Sequence, residues 1–180
     1  MDDKGKECKE PLTVETPDVK LFAYKLFGSV LTYGVFGMDY SFHYLLMAAQ
    51  ALFQRGVMAE LNGSGLTAGQ PKVLDYLGLH DGSVQKSIAA GCQIDPATLT
   101  GLLNRMEEKG LIRRCKEQGN RRSLHVYLTE QGWEKQREVR RTLERRAETV
   151  LAGLSEEQRT MLLDSLYQIC ASMADMEGLQ

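Results

Sequence analysis

The chain has 180 residues, of which 43% are hydrophobic and 26% are charged, and its formal net charge is −2. A chain of this size and composition can bury a substantial core, which excludes a largely disordered protein. Its cysteines form no CxxC pair, a pattern that favours reduced thiols in a cytoplasm over a disulfide framework. These cysteines are Cys8, Cys92, Cys115 and Cys170.

The N-terminal third predicts a tail followed by helices. Residues 1–17 are polar and predict a flexible tail. Apolar side chains at helical spacing predict a helix over Asp18–Phe36, although its glycines oppose one. A firmer helical pattern covers Asp39–Leu61, so residues 18–65 are assigned to N-terminal helices. The apolar stretch 26–38 is shorter than the roughly 20 residues that span a bilayer, so no membrane partner is expected.

Capping signals mark the helices on either side of the central segment. A Thr67–Gln70 capping box predicts a helix that ends near Leu79, and His80–Ser83 predicts a turn. Thr129 caps a long charged helix that reaches Ala152. A second capping box then starts a final helix with a single apolar face. The box is Ser155–Gln158, and the face carries Met161, Leu162, Leu166, Ile169 and Met173.

The central segment has the residue sizes of a helix-turn-helix that starts at Gln85. The fifth position is the small Ala89, where two helices that cross closely need a small side chain. The fifteenth and eighteenth are Leu99 and Leu102, which predict the buried face of the second helix. The ninth position is Gln93, where the turn favours a glycine because the backbone there prefers a positive φ.

The second helix of this pair is predicted to start at Pro96, with Asp95 as its N-cap. Short hydroxyl side chains near its start can approach base edges, and the helix terminus and Arg105 can bind phosphate. Thr98 has an alternative role in capping its own helix. The outward positions are Ala97, Thr98, Thr100, Gly101, Asn104 and Arg105.

A basic hairpin is predicted after the helix pair. Leu111–Arg114 and Leu124–Leu128 are strand candidates, and Glu117–Asn120 is the turn between them. Arg121 and Arg122 follow this turn, where they can enter a minor groove or remain solvated surface residues. Residues 104–122 hold seven basic and three acidic residues, the local positive charge expected of a groove-binding module. The bases are Arg105, Lys109, Arg113, Arg114, Lys116, Arg121 and Arg122.

These stretches resemble the MarR (multiple antibiotic resistance regulator) family of transcription factors. The resemblance is carried by Leu66–Leu74, Gln85–Arg114 and Asn120–Gly132, of which the last is similar to the family's wing signature. It implies a mainly α fold with a small β-hairpin wing: a winged helix-turn-helix with a helical dimerisation domain. The DNA-binding domain would cover residues 66–129, and residues 130–180 would form C-terminal dimerisation helices.

The resemblance also implies function. We expect a homodimeric, sequence-specific DNA-binding regulator, a repressor on a pseudo-palindromic operator in double-stranded DNA, with no enzymatic activity and no cofactor. The residues expected at DNA are Gln85, Lys86, Ala97, Thr98, Thr100, Gly101, Asn104, Arg105, Arg121 and Arg122.

The sequence departs from the family's pattern at three places. Asn120 stands where the wing aspartate that pairs with the arginine is usual, so a weaker neutral hydrogen bond would hold Arg122. Gly101 stands where a basic side chain is frequent. An additional N-terminal stretch extends through Phe36. The first two departures predict altered or weaker operator contacts.

Nine of the thirteen aromatic residues lie between Phe22 and Phe53, which predicts a large apolar surface to bury. The resemblance implies a dimer interface there, formed with the last two helices, and a ligand pocket beside it. Tyr40, His43 and Tyr44 are candidates to line that pocket for a small aromatic effector. Ordinary core and interface packing is the alternative for each of them.

The sequence gives less support to other functions. A redox sensor would use Cys92 or Cys115, whose thiol pKa a neighbouring cation could lower. The histidines His43, His80 and His125 lack the spacing of metal ligands, so no metal site is expected. Phosphate-binding loops, HExxH and nucleophile elbows are absent from the sequence, which argues against an enzyme. A DNA-silent adapter of the same fold is the remaining alternative.

Overall fold

The computed structural model describes the backbone of residues 25–27, 30–35, 38–117 and 120–173, and the side chains of residues 40–116 and 124–173. The tail predicted over residues 1–17 lies outside these ranges. The chain divides into two compact units between Ala48 and Ala49. The elements are β1 Lys25–Phe27, β2 Val30–Val35, β3 Met38–Ser41, α1 Phe42–Glu60, α2 Gln70–Leu79, β4 Ser83–Val84, α3 Gln85–Gly91, α4 Pro96–Glu108, β5 Ile112–Glu117, β6 Asn120–Leu128, α5 Glu130–Leu151 and α6 Glu156–Met173.

The first unit contains an antiparallel sheet in the order β1-β2-β3, followed by the start of α1. Phe27 pairs with Val30, and Val35 pairs with Met38. The helix predicted over Asp18–Phe36 is therefore wrong where the structure describes this stretch. Glycine costs about 1 kcal/mol inside a helix, and β-branched and aromatic residues favour strands. The residues of this stretch therefore favour strands, although its apolar side chains are spaced as in a helix. The helix predicted over Asp39–Leu61 is confirmed from Phe42 to Glu60 as α1, whereas Asp39–Ser41 belong to β3.

The second unit has one hydrophobic core that joins α2, α3, α4 and the wing, which we define as the β5–β6 hairpin, to parts of α1 and α5. In α4 the buried side chains recur at helical spacing and point to this core, as the sequence predicts. The core residues that α4 contributes are Leu99, Leu102, Leu103 and Met106.

The turn between α3 and α4 keeps its expected geometry without a glycine. Gln93 has a φ of 50°, in the left-handed region that side chains other than glycine rarely adopt. Its Nε2 donates to the Ala90 carbonyl at 2.7 Å, and the Ile94 N–H donates to the Ala89 carbonyl at 3.0 Å. The small side chain of Ala89 is buried at the crossing, as predicted.

The wing belongs to a three-stranded antiparallel sheet in the order β4-β6-β5. The hairpin is confirmed, with Ile112 opposite Leu128 and an irregular register between Lys116 and Glu117. The sequence missed β4, because a strand of two residues, here Ser83 and Val84, has too little length to show alternation. In this sheet β4 pairs with the inner half of β6.

A closely packed, hydrogen-bonded contact connects the end of α4 to the start of α5. The Thr129 hydroxyl donates to the Gly110 carbonyl at 2.5 Å and accepts the Gly132 N–H at 3.0 Å, so Thr129 caps α5 as predicted. A Cβ on Gly132 would lie 2.0 Å from the Leu111 carbonyl oxygen. The position therefore requires glycine, which explains in steric terms why glycine ends the stretch Leu128–Gly132.

The two predicted capping boxes differ in outcome. Both bonds form between Ser155 and Gln158, at 2.9 and 3.3 Å, and α6 follows. At the first box the Thr67 N–H donates to Gln70 Oε1 at 2.9 Å, but α2 begins only at Gln70, with Gly69 as its N-cap. Within the described ranges, no helix combines the length and apolarity needed to cross a bilayer.

Candidate nucleic-acid interface

The outer face of α4 is the surface formed by Ala97, Thr98, Thr100, Gly101, Asn104 and Arg105. All of these residues are exposed except Gly101, which is half-buried. The opposite face of the helix is buried in the core. The helix therefore presents to solvent the side that the sequence assigns to DNA.

The N-terminus of α4 is filled by the chain's own carboxylate. Asp95 Oδ1 accepts the backbone N–H groups of Ala97 at 3.1 Å and Thr98 at 2.9 Å. Hydrogen bonds from the side chain and backbone of Thr98 hold the pKa of Asp95 below its usual range. Asp95 is therefore the N-cap of α4, as predicted, and Thr98 donates to this cap instead of capping the helix with its own side chain. The phosphate site expected at this terminus is occupied by an anionic cap.

Gln85 and Thr100 are brought together although fifteen positions separate them. Gln85 Nε2 donates to Thr100 Oγ1 at 2.5 Å, and the Thr100 hydroxyl donates to the Pro96 carbonyl at 2.8 Å. This contact ties the start of α3 to the outer face of α4. Lys86, the next residue of α3, is exposed beside it.

The cluster of Asn104, Glu107 and Arg114 holds the wing against α4. Arg114 Nε donates to Glu107 Oε2 at 3.0 Å, and Nη2 of the same guanidinium contacts Glu107 Oε2 at 2.5 Å. Arg114 Nη2 also donates to Asn104 Oδ1 at 2.8 Å. Hydrogen bonding to Arg114 holds the pKa of Glu107 below its usual range. The Glu107–Glu108 pair would be expected to form a solvated face of α4, but Glu107 is paired with Arg114.

Other bases of the positive segment also have internal partners. Lys109 Nζ donates to the Gly65 carbonyl at 2.6 Å, so this lysine anchors the loop before α2. Arg113 lies 4.7 Å from the centre of the Tyr127 ring. Arg105, Lys109, Arg113 and Lys116 are all exposed. Because Arg114 is paired with Glu107, the free charge of this segment is smaller than the count of its bases.

Arg121 and Arg122 lie in β6, next to the Glu117–Asn120 pair at the distal end of the hairpin. Their backbone position agrees with a wing tip, and their side chains fall outside the described ranges. The same holds for Asn120, whose predicted bond to Arg122 stays a prediction.

The thiol of Cys92 lacks the properties of a redox sensor. It is 1% exposed, and burial raises its pKa to about 11. The nearby Lys72 acts in the opposite direction and is outweighed. A thiol with this pKa is a poor nucleophile at neutral pH. The structure therefore opposes the Cys92 version of the redox alternative.

The candidate effector residues Tyr40, His43 and Tyr44 lie in the first unit. The rings of Tyr40 and Tyr44 stack with centroids 5.5 Å apart, and Tyr44 remains 47% exposed. A cleft of about 360 Å³ in the second unit is formed by other residues, on α1, α2 and α5. It is lined by Phe53, Asp75, Leu79, Arg140, Leu143, Glu144 and Ala147.

Comparison with known proteins agrees with this architecture. The family model described as MarR family matches residues 64–123. The HTH-type transcriptional regulator TtmR of Methylorubrum extorquens is 31% identical over 77% of this chain and 68% of its own length.

Two solved structures are also similar. The MepR–DNA complex of S. aureus superposes with a TM-score of 0.66 at 25% identity, over 74% of this chain and 96% of that one. The repressor CouR, bound to a 23-mer DNA duplex, gives a TM-score of 0.65 at 26% identity, over 71% and 91%. The fold, the motif positions and these similarities together show that the chain belongs to the MarR family of winged helix-turn-helix transcriptional regulators, which are not enzymes.

Proposed function

We propose that this regulator binds a pseudo-palindromic operator as a homodimer and represses transcription there. The observation that carries the proposal is the exposed, polar outer face of α4, held in position by a buried opposite face and by the wing. The similar MepR and CouR chains are bound to DNA in their structures. In this proposal α4 enters a major groove.

The contacts divide between bases and phosphates. Ala97, Thr98, Thr100, Gly101 and Asn104 face base edges, because their short side chains permit close approach. Arg105 and Lys86 bind phosphates, which fix the position of the helix without reading sequence. Gln85 acts on this surface by holding Thr100. At the wing, Arg121 and Arg122 enter the adjacent minor groove.

A second copy of the chain supplies the second recognition helix. The described part of α6 contains no buried residue, yet it carries exposed apolar side chains along its length. Monomeric soluble proteins rarely leave large contiguous apolar surfaces in water. We infer that α6 packs against its symmetry mate, together with the N-terminal region. The dimer then places two α4 helices about 34–36 Å apart, one turn of DNA.

Release by a small aromatic effector completes the proposal. A ligand changes operator affinity only if it binds the two dimer geometries with different affinity. Tyr40, His43 and Tyr44 remain the proposed ligand contacts, supported by the stacked rings of Tyr40 and Tyr44 and by the exposure of His43 and Tyr44. Titration of aromatic carboxylates and phenols into the protein–operator complex would release DNA if this is correct, and Tyr44→Ala would abolish the release while DNA binding persists.

The function itself is tested by gel shift with the promoter region next to the protein's own gene. Binding should fall steeply with salt, because phosphate contacts release counterions. Arg122→Ala should lower affinity and reduce the slope of log K against log salt by about one. Arg141→Ala, which removes one exposed charge from α5, is the matched control and should leave the slope unchanged. Cys92→Ser should also bind as wild type does.

A DNA-silent adapter is the second candidate function. It is favoured by the anionic Asp95 cap at the start of α4 and by Gly101, which contributes no side chain to the outer face. Indifference of duplex binding to Arg122→Ala would favour the adapter. Loss of affinity in that variant, with Arg141→Ala unaffected, would exclude it.

A further inference from the structure

The orientation of one side chain on the outer face of α4 is fixed from within the protein. Asn104 Oδ1 accepts a hydrogen bond from Arg114 Nη2 at 2.8 Å. The guanidinium is itself held by Glu107 Oε2, through Nε at 3.0 Å and through Nη2 at 2.5 Å, and the Arg114 backbone N–H donates to Glu107 Oε1 at 3.2 Å. The side chain of Arg114 is only 20% exposed. Asn104 is therefore bonded to a group that is fixed at its other end.

The chemistry of arginine determines which way the Asn104 amide faces. A guanidinium has only donors, so the atom that faces Arg114 must be the amide oxygen. The NH₂ group then forms the other arm of the planar amide, directed away from Arg114. Because Asn104 is exposed, this donor faces the solvent side of α4.

This orientation limits what Asn104 can recognise in a major groove. The bidentate pairing of asparagine with adenine needs the amide oxygen and the amide nitrogen on one edge of the base. With the oxygen turned to Arg114, only the donor is presented. Guanine O6 and N7, thymine O4 and adenine N7 are acceptors in the major groove, whereas cytosine presents only its exocyclic amine, which is a donor.

We propose that Arg114 is a positioning residue that turns Asn104 into a reader of base acceptors, so that the operator position opposite this side chain excludes cytosine and shows no preference for adenine over guanine. The proposal rests on the DNA-binding function proposed above. In it Arg114 touches no DNA, since its charge is paired with Glu107. Glu107 contributes by fixing the guanidinium.

The experiment is selection of operators from a randomised duplex pool by the full-length protein, wild type and variants, followed by salt titration of the selected sites. Wild type should select against cytosine, relative to the other three bases, by about threefold to tenfold at one position of each half-site, the range expected for one hydrogen bond. Asn104→Ala should abolish this preference. Arg114→Met should produce a preference for adenine at the same position, because the freed amide can pair with adenine in bidentate fashion, with the salt slope unchanged.

Controls separate positioning from folding and from direct contact. Arg113→Met alters the neighbouring arginine, which lies over Tyr127, and should leave the base preference at this position intact. If Arg114→Met fails to fold in a thermal melt, Arg114→Lys keeps the charge but not the forked geometry and should produce the same preference for adenine. The double variant of Asn104→Ala with Arg114→Met should show no loss of preference beyond Asn104→Ala alone.

Three results would overturn the inference. A salt slope lowered by about one in Arg114→Met would show that Arg114 binds a phosphate. A wild-type preference for adenine that Asn104→Ala removes would show that the amide is free to pair in bidentate fashion. An unchanged preference in Arg114→Met would show that Arg114 has no positioning role. Absence of any wild-type duplex binding is a different result, which removes the proposed function together with this inference.

Discussion

Helices α4 and α6 are both amphipathic, and they differ in where their apolar side chains find a partner. In α4 the residues Leu99, Leu103 and Met106 are 0% exposed, because α2, α3 and the wing complete the core around them. In α6 the residues Leu163 and Tyr167 are 59% and 65% exposed. One chain is therefore sufficient to close the core around α4 and the wing. The proposed dimerisation helix, in contrast, depends on a second chain.

The largest expected effects come from truncating one leucine on each helix. Leu103→Ala should lower the free energy of unfolding by about 3 kcal/mol, because the substitution leaves a cavity in a closed core. Leu163→Ala, the matched substitution on α6, should weaken dimerisation instead. Chemical denaturation at several protein concentrations measures both effects. Equal and concentration-independent losses would show that the two helices do not differ in this way.

A single added methyl group tests how closely the start of α5 packs against the residue after α4. Gly132→Ala should destabilise the protein by about 2–3 kcal/mol, because its Cβ would overlap the Leu111 carbonyl. Gly153→Ala, which precedes α6, meets no atom within 4 Å and serves as the control. Melting temperatures of the two variants report the difference. A Gly132→Ala protein as stable as wild type would contradict the close approach.

The outer face of α4 should tolerate what its inner face does not. Gly101→Ala should stabilise the protein by about 0.5–1 kcal/mol, because glycine is unfavourable inside a helix. The new Cβ would meet only Arg105 Nη1, at 3.6 Å, which is ordinary contact. The denaturant midpoints of the variant and the wild type measure this change in stability. A loss of stability would mean that Gly101 is needed for packing.

The smallest effect concerns the cap of α4 and its dependence on pH. The pKa of Asp95 is lowered in the folded protein, so its stabilising contribution is present above the ordinary carboxylate pKa of about 3.9. The contribution is lost as pH falls through the lowered folded-state value. Asp95→Asn should therefore be less sensitive to acid than wild type over that interval. Parallel acid dependence of the two proteins would contradict the capping geometry.

The sequence predicts those features that depend on short-range patterns. The Asp95 cap, the buried face of α4 and the start of α6 all follow from residues within one or two helical turns. The N-terminal sheet was missed because apolar residues at helical spacing outweighed the strand preference of residues such as Val30 and Tyr33. Spacing alone does not separate the two structures when glycines interrupt the pattern.

The internal partners of the basic segment could not be predicted in the same way. The pairing of Arg114 with Glu107 depends on how β5 lies against α4, and no local pattern encodes that geometry. Lys109 reaches Gly65, 44 residues earlier, for the same reason. The count of basic residues therefore overstated the free charge of this segment, because Arg114 is paired with Glu107.

Hydroxyl-radical footprinting of the full-length protein on its own promoter region tests the central claim most directly, when combined with the mass of the protein–DNA complex. A dimer that reads DNA through α4 predicts two protected patches one helical turn, about 10 base pairs, apart and two chains for each duplex. A single protected patch, a complex with one chain, or a uniformly cleaved duplex at low salt would contradict the claim.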